Sequence, residues 1–128
     1  GKEVAALDGL TGNTIPSPTA AGELVAVGAG ENRMKPDAAA SARSNCLVRL
    51  ADKDGKPGFE VVWGAKKAIS HHASPLVHAG HVYFVTQAGL VHCFDLKTGE
   101  ERYSERLDDP VWATPMGAGD RVYFFGKS

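Results

Sequence analysis

The residues of this chain with the greatest potential for chemistry are its five histidines. His71 and His72 are adjacent, and the others follow in the same stretch: His78, His81 and His92. Imidazole nitrogens are common zinc ligands, but neighbouring residues on a strand point to opposite faces, so His71 and His72 are poorly placed to bind one ion together. No carboxylate or thiolate spacing completes a zinc site around them. The pattern favours structural histidines, each with one ring nitrogen bonded to the backbone.

The acidic residues do not form a stronger pattern. Asp108-Asp109 precedes Pro110 and is the nearest approach to a calcium-binding loop, which needs several carboxylate and carbonyl oxygens close together. Adjacent carboxylates before a proline are typical of a solvated turn. No serine, histidine and aspartate are spaced to indicate a nucleophilic triad. The sequence therefore predicts no catalytic residue and no metal ligand in this segment.

The glycine-rich stretch and the cysteines are also weak signals. Residues 28–32 are rich in glycine, but no helix clearly follows them, so phosphate binding at a helix N-terminus is not indicated. Cys46 and Cys93 are the only cysteines, and both belong to segments that we predict to be strands. They form either a disulfide or two small buried apolar side chains. The second interpretation is favoured, because a disulfide requires close and aligned Cα atoms.

Composition restricts the class of protein. The 128 residues are 43% hydrophobic, which is enough for a core of single-domain size, and the formal net charge is −1 with scattered basic residues. A nucleic-acid partner is not expected, because phosphate binding requires a concentrated basic face. No run of about 18 apolar residues is present, so no membrane-spanning helix is expected.

A repeat of short strands must position these residues. Its anchor is Ser/Thr-Pro, and a glycine turn and an apolar strand follow. The three copies of the anchor are Ser17-Pro18, Ser74-Pro75 and Thr114-Pro115, and their apolar strands begin near residues 24, 82 and 122. A unit of this kind buries its faces only by stacking on a neighbour, and propeller repeats of four strands are about 40–45 residues long.

The spacing of the anchors locates an insertion. Pro75 and Pro115 are 40 residues apart, whereas Pro18 and Pro75 are 57 apart. Removing the 17 polar and alanine-rich residues 29–45 returns the longer interval to 40. Long loops inside compact domains are usually functional or disordered, so we predict a mobile or partner-contacting loop rather than a neutral insertion. Residues 38–42 favour at most a short helical turn.

The predicted fold is all-β, with consecutive four-stranded antiparallel β-propeller blades that form part of a propeller. Residues 1–69 are predicted to be a first blade, with a preceding strand at its start and the insertion at 29–45. Residues 70–107 form the complete blade, and residues 108–128 begin the next one. On this prediction the chain starts within a fourth strand and stops after a second strand. It is then either a piece of a longer propeller or one of several chains that close a ring.

One stretch of the complete blade resembles a known motif. Residues 93–103 read Cys-Phe-Asp-Leu-Lys-Thr-Gly-Glu-Glu-Arg-Tyr. They resemble the Ala-x-Asp-x-x-Thr-Gly-Lys/Glu-x-x-Trp motif of pyrroloquinoline-quinone-like repeat proteins, a group that includes quinoprotein dehydrogenases and the outer-membrane assembly lipoprotein BamB. Asp95, Thr98 and Gly99 suit a turn, because the carboxylate accepts backbone N–H bonds and the glycine supplies a positive φ.

The resemblance also implies roles for aromatic residues and an activity class. An aromatic residue of each blade is expected to dock on the next blade, here Tyr103 and Trp63. The favoured function is a non-catalytic interaction scaffold like the cell-envelope members of the group, with other proteins or further blades as partners and a periplasmic or cell-envelope location. The alternatives are a segment of a quinoprotein dehydrogenase, and a sensor or accessory domain of a signalling protein.

A cofactor is expected only under the dehydrogenase alternative, where pyrroloquinoline quinone (PQQ) would bind with calcium. The chain lacks the adjacent cysteines that are common in those enzymes, and no cofactor is predicted for this segment. His71, His72 and Trp112 are the residues that we expect to face a central channel, because they precede the strands that should be innermost.

The ends of the chain predict self-association. Residues 1–4 and residues 122–125 are expected to be strands with unpaired edges, and each terminal blade leaves one apolar face without a neighbour. Exposed strand edges template pairing with other chains, and large exposed apolar faces favour association. The chain is therefore expected to form homo-oligomers, with residues 1–4 of one copy pairing with residues 122–125 of another.

Overall fold

The structure, a computed structural model, describes residues 1–127, so Ser128 at the end of the predicted 108–128 segment lies outside the described part. Three antiparallel sheets follow one another along the chain. The first sheet contains β1 Thr19–Ala21, β2 Leu24–Val27, β3 Cys46–Lys53 and β4 Lys56–Gly64, and helix α1 Ala38–Arg43 lies between β2 and β3. The second contains β5 Leu76–His78, β6 His81–Val85, β7 Leu90–Asp95 and β8 Glu101–Arg106. The third contains β9 Met116–Ala118 and β10 Arg121–Tyr123. This architecture confirms the predicted all-β class and its four-stranded antiparallel sheets.

Each sheet begins directly after the proline of its anchor. Pro18, Pro75 and Pro115 immediately precede β1, β5 and β9. A proline has no N–H to donate to a sheet ladder, so the position just before a strand suits it. A two-residue hairpin loop then leads to the second strand in every repeat. The three proline anchors therefore align the sheets residue by residue.

The sheets stack face to face through two apolar cores. In the first core, Ala26 and Leu47 of the first sheet meet Val82, Phe84 and Phe94 of the second. The side chains of a strand alternate between its faces, so the residues between these positions on β6 and β7 point the other way. They form the second core, between the second and third sheets, with these members: Tyr83, Val85, Val91, Cys93, Val122 and Phe124. The second sheet is thus a layer whose two faces contact the first and the third sheet.

A hydrogen-bond ladder links the anchors across these layers. The backbone N–H of Ser17 donates to the Ser74 hydroxyl at 2.9 Å. The N–H of Ser74 donates in turn to the Thr114 hydroxyl at 3.1 Å. The hydroxyls of the second and third anchors therefore each accept a bond from the preceding anchor, which explains why serine or threonine stands before Pro75 and Pro115.

The insertion at residues 29–45 is held at both ends by one buried side chain. The Asn45 amide oxygen accepts bonds from the backbone N–H groups of Ala29 at 3.1 Å and Ser70 at 3.0 Å. Its NH₂ group donates to the carbonyls of Ala29 at 2.8 Å and Ser41 at 3.0 Å. The continuously exposed part is residues 33–39. The exposed part of the insertion is thus shorter than the predicted 29–45, because the Asn45 amide bonds to four backbone groups at the base of the insertion.

The short helical turn expected within the insertion is present as α1. Asp37 caps its N-terminus by accepting a bond from the Ala40 N–H at 2.9 Å. Ser41 and Ala42 are buried, so this helix of six residues is held by packing rather than by its own length.

Two predictions about the first blade need correction. Residues 1–4 form no strand, since the first strand of the described chain begins at Thr19. A strand needs a partner for its N–H and C=O groups. The later residues of this N-terminal stretch bond to the insertion rather than to a strand, through Thr11 N–H to the Ser44 hydroxyl at 2.8 Å and through Gly30 N–H to the Asn13 carbonyl at 2.8 Å. The second correction is that the first sheet is complete, so the chain has two four-stranded sheets where one was predicted.

Candidate functional site

The segments that lead into the three sheets carry one side chain each at the same repeat position. Ile15, His72 and Trp112 all stand three residues before the anchor proline, and we name them the pre-proline row. The rings of His72 and Trp112 stack with centroids 4.9 Å apart and an interplanar angle of 13°. Ile15 and His72 line one small cavity. The row is thus a continuous strip in which Ile15 is exposed and Trp112 is 48% exposed.

Positive charge borders this strip. The Lys127 ammonium lies 5.1 Å from the centroid of the Trp112 ring, a distance typical of a cation–π contact. Arg33 and Glu31 of the insertion line the cavity beside His71. The insertion and the pre-proline row therefore form one surface, with aromatic, cationic and acidic groups.

His71 and His72 lie together here, as their sequence positions require, but they do not form a metal-binding pair. Their ring centroids are 6.5 Å apart, and the Nδ1 atom of each is buried without a hydrogen-bond partner. Burial lowers the pKa of His71, and the adjacent His72 and nearby Arg33 lower it further, against the effect of Glu31. His71 is therefore mainly neutral at pH 7. The cavity beside the two rings is only about 20 Å³.

The three remaining histidines each bond to another group of the fold through one ring nitrogen. His78 Nε2 donates to the Gly119 carbonyl at 2.9 Å, and His81 Nδ1 donates to the Ala79 carbonyl at 2.9 Å. Both match the expected bond from a ring nitrogen to the backbone. His92 differs, because its Nδ1 lies 3.0 Å from a carboxylate oxygen of Glu101 while its Nε2 is buried without a partner.

The donors in this part of the molecule do not fit a calcium-bound quinone. Calcium is held by several carboxylate and carbonyl oxygens, whereas the surface around the pre-proline row presents imidazole and indole rings with Glu31 as its carboxylate. Asp109 packs instead against Gly126. A Cβ added to Gly126 would lie 2.8 Å from the Cβ of Asp109. Within residues 1–127, no group of three or more His, Cys, Asp or Glu side chains is placed to hold a metal ion.

The predicted motif turn between β7 and β8 is built by Asp95. Its carboxylate accepts bonds from the N–H groups of Lys97 and Thr98, both at 2.9 Å. The Thr98 hydroxyl accepts a bond from the Glu100 N–H at 3.2 Å. The bonds from the two N–H groups stabilise the charged carboxylate and therefore lower the pKa of Asp95, and the bond from Thr98 has the largest effect. The carboxylate is thus committed to the turn.

Trp63 of the first sheet docks on that turn. Its indole N–H donates to the Leu96 carbonyl at 3.0 Å, and its ring stacks on Phe94 with centroids 5.4 Å apart. Gly99 has φ of 70°, and a Cβ there would lie 2.5 Å from the Trp63 ring. Tyr103 behaves differently, since it pairs with Cys93 across β7 and β8 and stays 48% exposed. The structure thus places the inter-sheet contact on Trp63.

The cysteines are separate, free and buried. Burial raises the pKa of the Cys46 thiol to about 11 and raises that of Cys93 as well. Neither thiol is activated as a nucleophile at neutral pH, because the thiolate is the reactive form. Both residues act as small core side chains, as the sequence favoured.

Sequence reasoning missed the residues that connect elements rather than form them. Asn45 and the Ser/Thr ladder are the main examples, and the pairing of buried His92 with the partly exposed Glu101 is a third. A signal existed for the ladder, since serine or threonine precedes each anchor proline. No comparable signal marked Asn45, whose partners lie 16 and 25 residues away.

The stacked antiparallel sheets, the repeated anchors and the Asp95 turn define a β-propeller repeat protein of the PQQ-like class. Residues 2–127 match the family described as outer membrane protein assembly factor BamB, and the chain therefore belongs to this family of PQQ-like repeat proteins. No curated protein shows significant similarity to the chain. Within the described residues, no helix is long and apolar enough to cross a membrane.

Proposed function

We propose that this chain is a non-catalytic β-propeller repeat segment that acts as a protein-interaction scaffold. The observation that carries the proposal is the pre-proline row, where an exposed isoleucine and a stacked histidine–tryptophan pair lie along one end of the sheets. Aromatic side chains with a cationic border are typical of protein interfaces and of their energetic centres. Stacked sheets supply a rigid support, because two apolar cores and the ladder join the three layers.

Family membership supports the same function and suggests a location. The family is described as outer membrane protein assembly factor BamB. By this likeness we propose a cell-envelope location and protein partners for this chain. We also propose that copies of the chain associate with one another through uncovered faces of the terminal sheets.

Site-specific photocrosslinking tests the scaffold role. A benzophenone amino acid is placed at Ile15 or at Trp112 in the chain exported to the bacterial periplasm, and adducts are identified by mass spectrometry. Tyr103 is the matched control, because it is also aromatic and also 48% exposed. We expect discrete protein adducts at the two row positions and few at Tyr103. An equal set of adducts at all three positions, or none at the row, would contradict the proposal.

Calorimetry separates the scaffold from the dehydrogenase alternative. The purified chain is titrated with PQQ in the presence of calcium. No saturable heat is expected, because the side chains around the pre-proline row are imidazole and indole rather than a set of oxygen donors. Micromolar affinity that depends on calcium would overturn the non-catalytic proposal and favour a quinone-dependent enzyme.

A further inference from the structure

The insertion presents one apolar side chain to solvent at its apex. Met34 is 90% exposed, which makes it the most exposed large apolar residue of the described chain. The Asn32 side-chain oxygen accepts bonds from the backbone N–H groups of Met34 at 2.9 Å and Lys35 at 3.2 Å, and a turn of this kind fixes the local backbone. The buried Asn45 amide holds the base of the insertion. Hydrogen bonds at the apex and at the base therefore keep Met34 away from both apolar cores.

Cationic side chains stand on both sides of Met34. Arg33 and Lys35 are its neighbours in the chain, and both are exposed. Asp37 is the one acidic residue of the continuously exposed stretch, and its carboxylate caps the N-terminus of α1. An apolar side chain between two cations suits an anionic lipid surface, because the apolar group can enter the acyl boundary while the cations meet the phosphates.

The topology brings further cations to the same end of the first sheet. This sheet is antiparallel, so the end of β2, the start of β3 and the end of β4 lie together. Arg43 of α1 and Lys66 after β4 line one groove, and a Cβ added to Gly64 would lie 3.2 Å from the Arg43 carbonyl oxygen. Five exposed cations thus share this end with Met34: Arg33, Lys35, Arg43, Lys66 and Lys67.

The opposite end of the first sheet has a different charge. It consists of the two hairpin turns, where acidic residues outnumber basic ones: Glu23, Asp52, Lys53, Asp54 and Lys56. At the end that carries the insertion, the acidic residues are Glu31 and Asp37 against the five cations. The first sheet is therefore cationic at the end where Met34 is exposed and acidic at the other.

We propose that the cationic end of the first sheet binds the surface of an anionic phospholipid bilayer, with Met34 inserted among the lipids. A bilayer is favoured over an acidic protein because the cations are spread over the apex, α1 and the segment after β4, and a bilayer offers phosphates across such an area. The inference goes beyond the protein partners proposed above. Ile15 and Trp112, which carry that proposal, take no part in this contact.

Co-sedimentation with vesicles tests the electrostatic part. The chain is mixed with vesicles of phosphatidylcholine alone or of phosphatidylcholine with phosphatidylglycerol, and binding to the second kind is expected, weakening as salt is added. Arg33→Gln combined with Lys35→Gln should weaken this binding by at least about tenfold, since a basic residue near an anionic surface contributes about fivefold. Lys53→Gln combined with Lys56→Gln removes the same charge from the opposite end and should bind like the unmodified chain.

A fluorophore sensitive to its surroundings locates the inserted residue. Met34→Cys is labelled with a nitrobenzoxadiazole dye, which is selective because Cys46 and Cys93 are buried. Leu50→Cys is the matched control, since Leu50 is a 48% exposed apolar residue on the half of β3 that leads to the acidic end. Anionic vesicles should shift the emission of the label to shorter wavelength at residue 34 and leave it unchanged at residue 50.

The outcomes separate the possible partners. Unmodified chain that does not bind anionic vesicles would refute the membrane contact and leave the cationic end to an acidic protein. Binding that is equal for both kinds of vesicle, or that the double variant at residues 33 and 35 retains in full, would refute the role of the cations. A shift at residue 50 in place of residue 34 would refute the insertion of Met34. None of these results affects the crosslinking test at the pre-proline row.

Discussion

At the residue scale, the side chains with the most evident chemistry in the sequence have structural work in the fold. The Asp95 carboxylate accepts the hydrogen bonds of a turn, and His78 and His81 donate to backbone carbonyls. The two cysteines are buried as small apolar side chains. The residues that determine how the sheets join are less conspicuous in the sequence. Gly99 is the best example, because it must have a positive φ and must also leave room for the Trp63 ring.

Gly99→Ala is expected to destabilise the chain by about 2–4 kcal/mol, as strain in the left-handed region adds to overpacking against Trp63. Urea denaturation measures the change. Gly80→Ala is the matched control, because Gly80 has φ of 77° but an added Cβ there meets nothing within 4 Å. The control should lose only about 1 kcal/mol. Equal losses for the two variants would show that contact with Trp63 carries no energetic weight.

The Asp95 turn predicts a specific pH dependence. Hydrogen bonds hold the pKa of Asp95 below its ordinary 3.8, so its stabilising effect is present above that value and is lost as the pH falls through the folded-state pKa. The midpoint of urea unfolding should therefore decrease on acidification below about pH 4, and this decrease should be smaller in Asp95→Asn. Asp120→Asn, at an exposed carboxylate, provides the control. A slope in Asp95→Asn equal to that of the wild type would contradict this role.

At the element scale, each layer is joined to the next by a repeated backbone-to-hydroxyl bond, and the first two layers are also joined by an aromatic contact. The anchor hydroxyls form the ladder, and Trp63 forms the contact between the first and second sheets. The insertion belongs to the same scale, because Asn45 ties its two ends to each other and to the segment that leads to β5. Elements of this chain are thus positioned by a few polar groups at their ends.

Ser74→Ala should destabilise the chain by about 1 kcal/mol, because the Ser17 N–H loses its acceptor. Ser74→Thr should restore most of this loss, since threonine already fills the equivalent place at Thr114. Thermal unfolding followed by circular dichroism compares the two variants. If threonine is as destabilising as alanine, the hydroxyl is not the group that matters.

Limited proteolysis with trypsin tests how the insertion is held. In the wild type the first cut should follow Arg33, in the exposed part, while Arg43 is cut slowly because Ser44 and Asn45 are buried beside it. Asn45→Ala should accelerate cleavage after Arg43 by at least about tenfold, since four backbone groups lose their partner.

Asn32→Ala is the control for that experiment. Its side chain accepts bonds from the Met34 and Lys35 N–H groups within the exposed tip, so its loss should leave the rate at Arg43 unchanged. Hairpin cleavage that precedes cleavage at Arg33 would contradict the exposed tip altogether.

At the scale of the whole molecule, the chain is a short stack whose stability depends on its junctions. Sheets in such a stack contact mainly their neighbours, so each interface contributes a nearest-neighbour energy. The edge strand β8 disfavours uncontrolled pairing, because it carries four charged side chains along its exposed length: Glu101, Arg102, Glu105 and Arg106.

Trp63→Ala should reduce the free energy of unfolding by about 3 kcal/mol through loss of the contact between the first two sheets. The remaining tryptophan, Trp112, reports the transition from the far end of the stack. If the stack unfolds as one unit, Trp112 fluorescence and circular dichroism should shift together. Tyr103→Ala, at an exposed aromatic, should cost less. If circular dichroism of Trp63→Ala shows two unfolding steps while Trp112 fluorescence keeps its wild-type midpoint, the first sheet unfolds separately from the rest of the stack.

Local patterns were sufficient to predict the repeat, the all-β class, the antiparallel hairpins and the Asp95 turn. These features depend on residues close together in sequence: a proline that cannot join a ladder, glycines at turns, and apolar residues at alternating positions. The family likeness rested on the same short-range signals. The neighbouring positions of His71 and His72 and the repeat position of Trp112 were predictable for the same reason.

Contacts between distant parts of the chain were decided only by the tertiary structure. Residues 1–4 were predicted to be a strand from their position in the repeat, but they form none in the folded chain. Asn45 acquired its role from backbone groups 16 and 25 residues away, which no local pattern encodes. The sequence alone therefore determined what each repeat is, and the folded chain determined how the repeats join, because the joining groups meet only after the sheets have stacked.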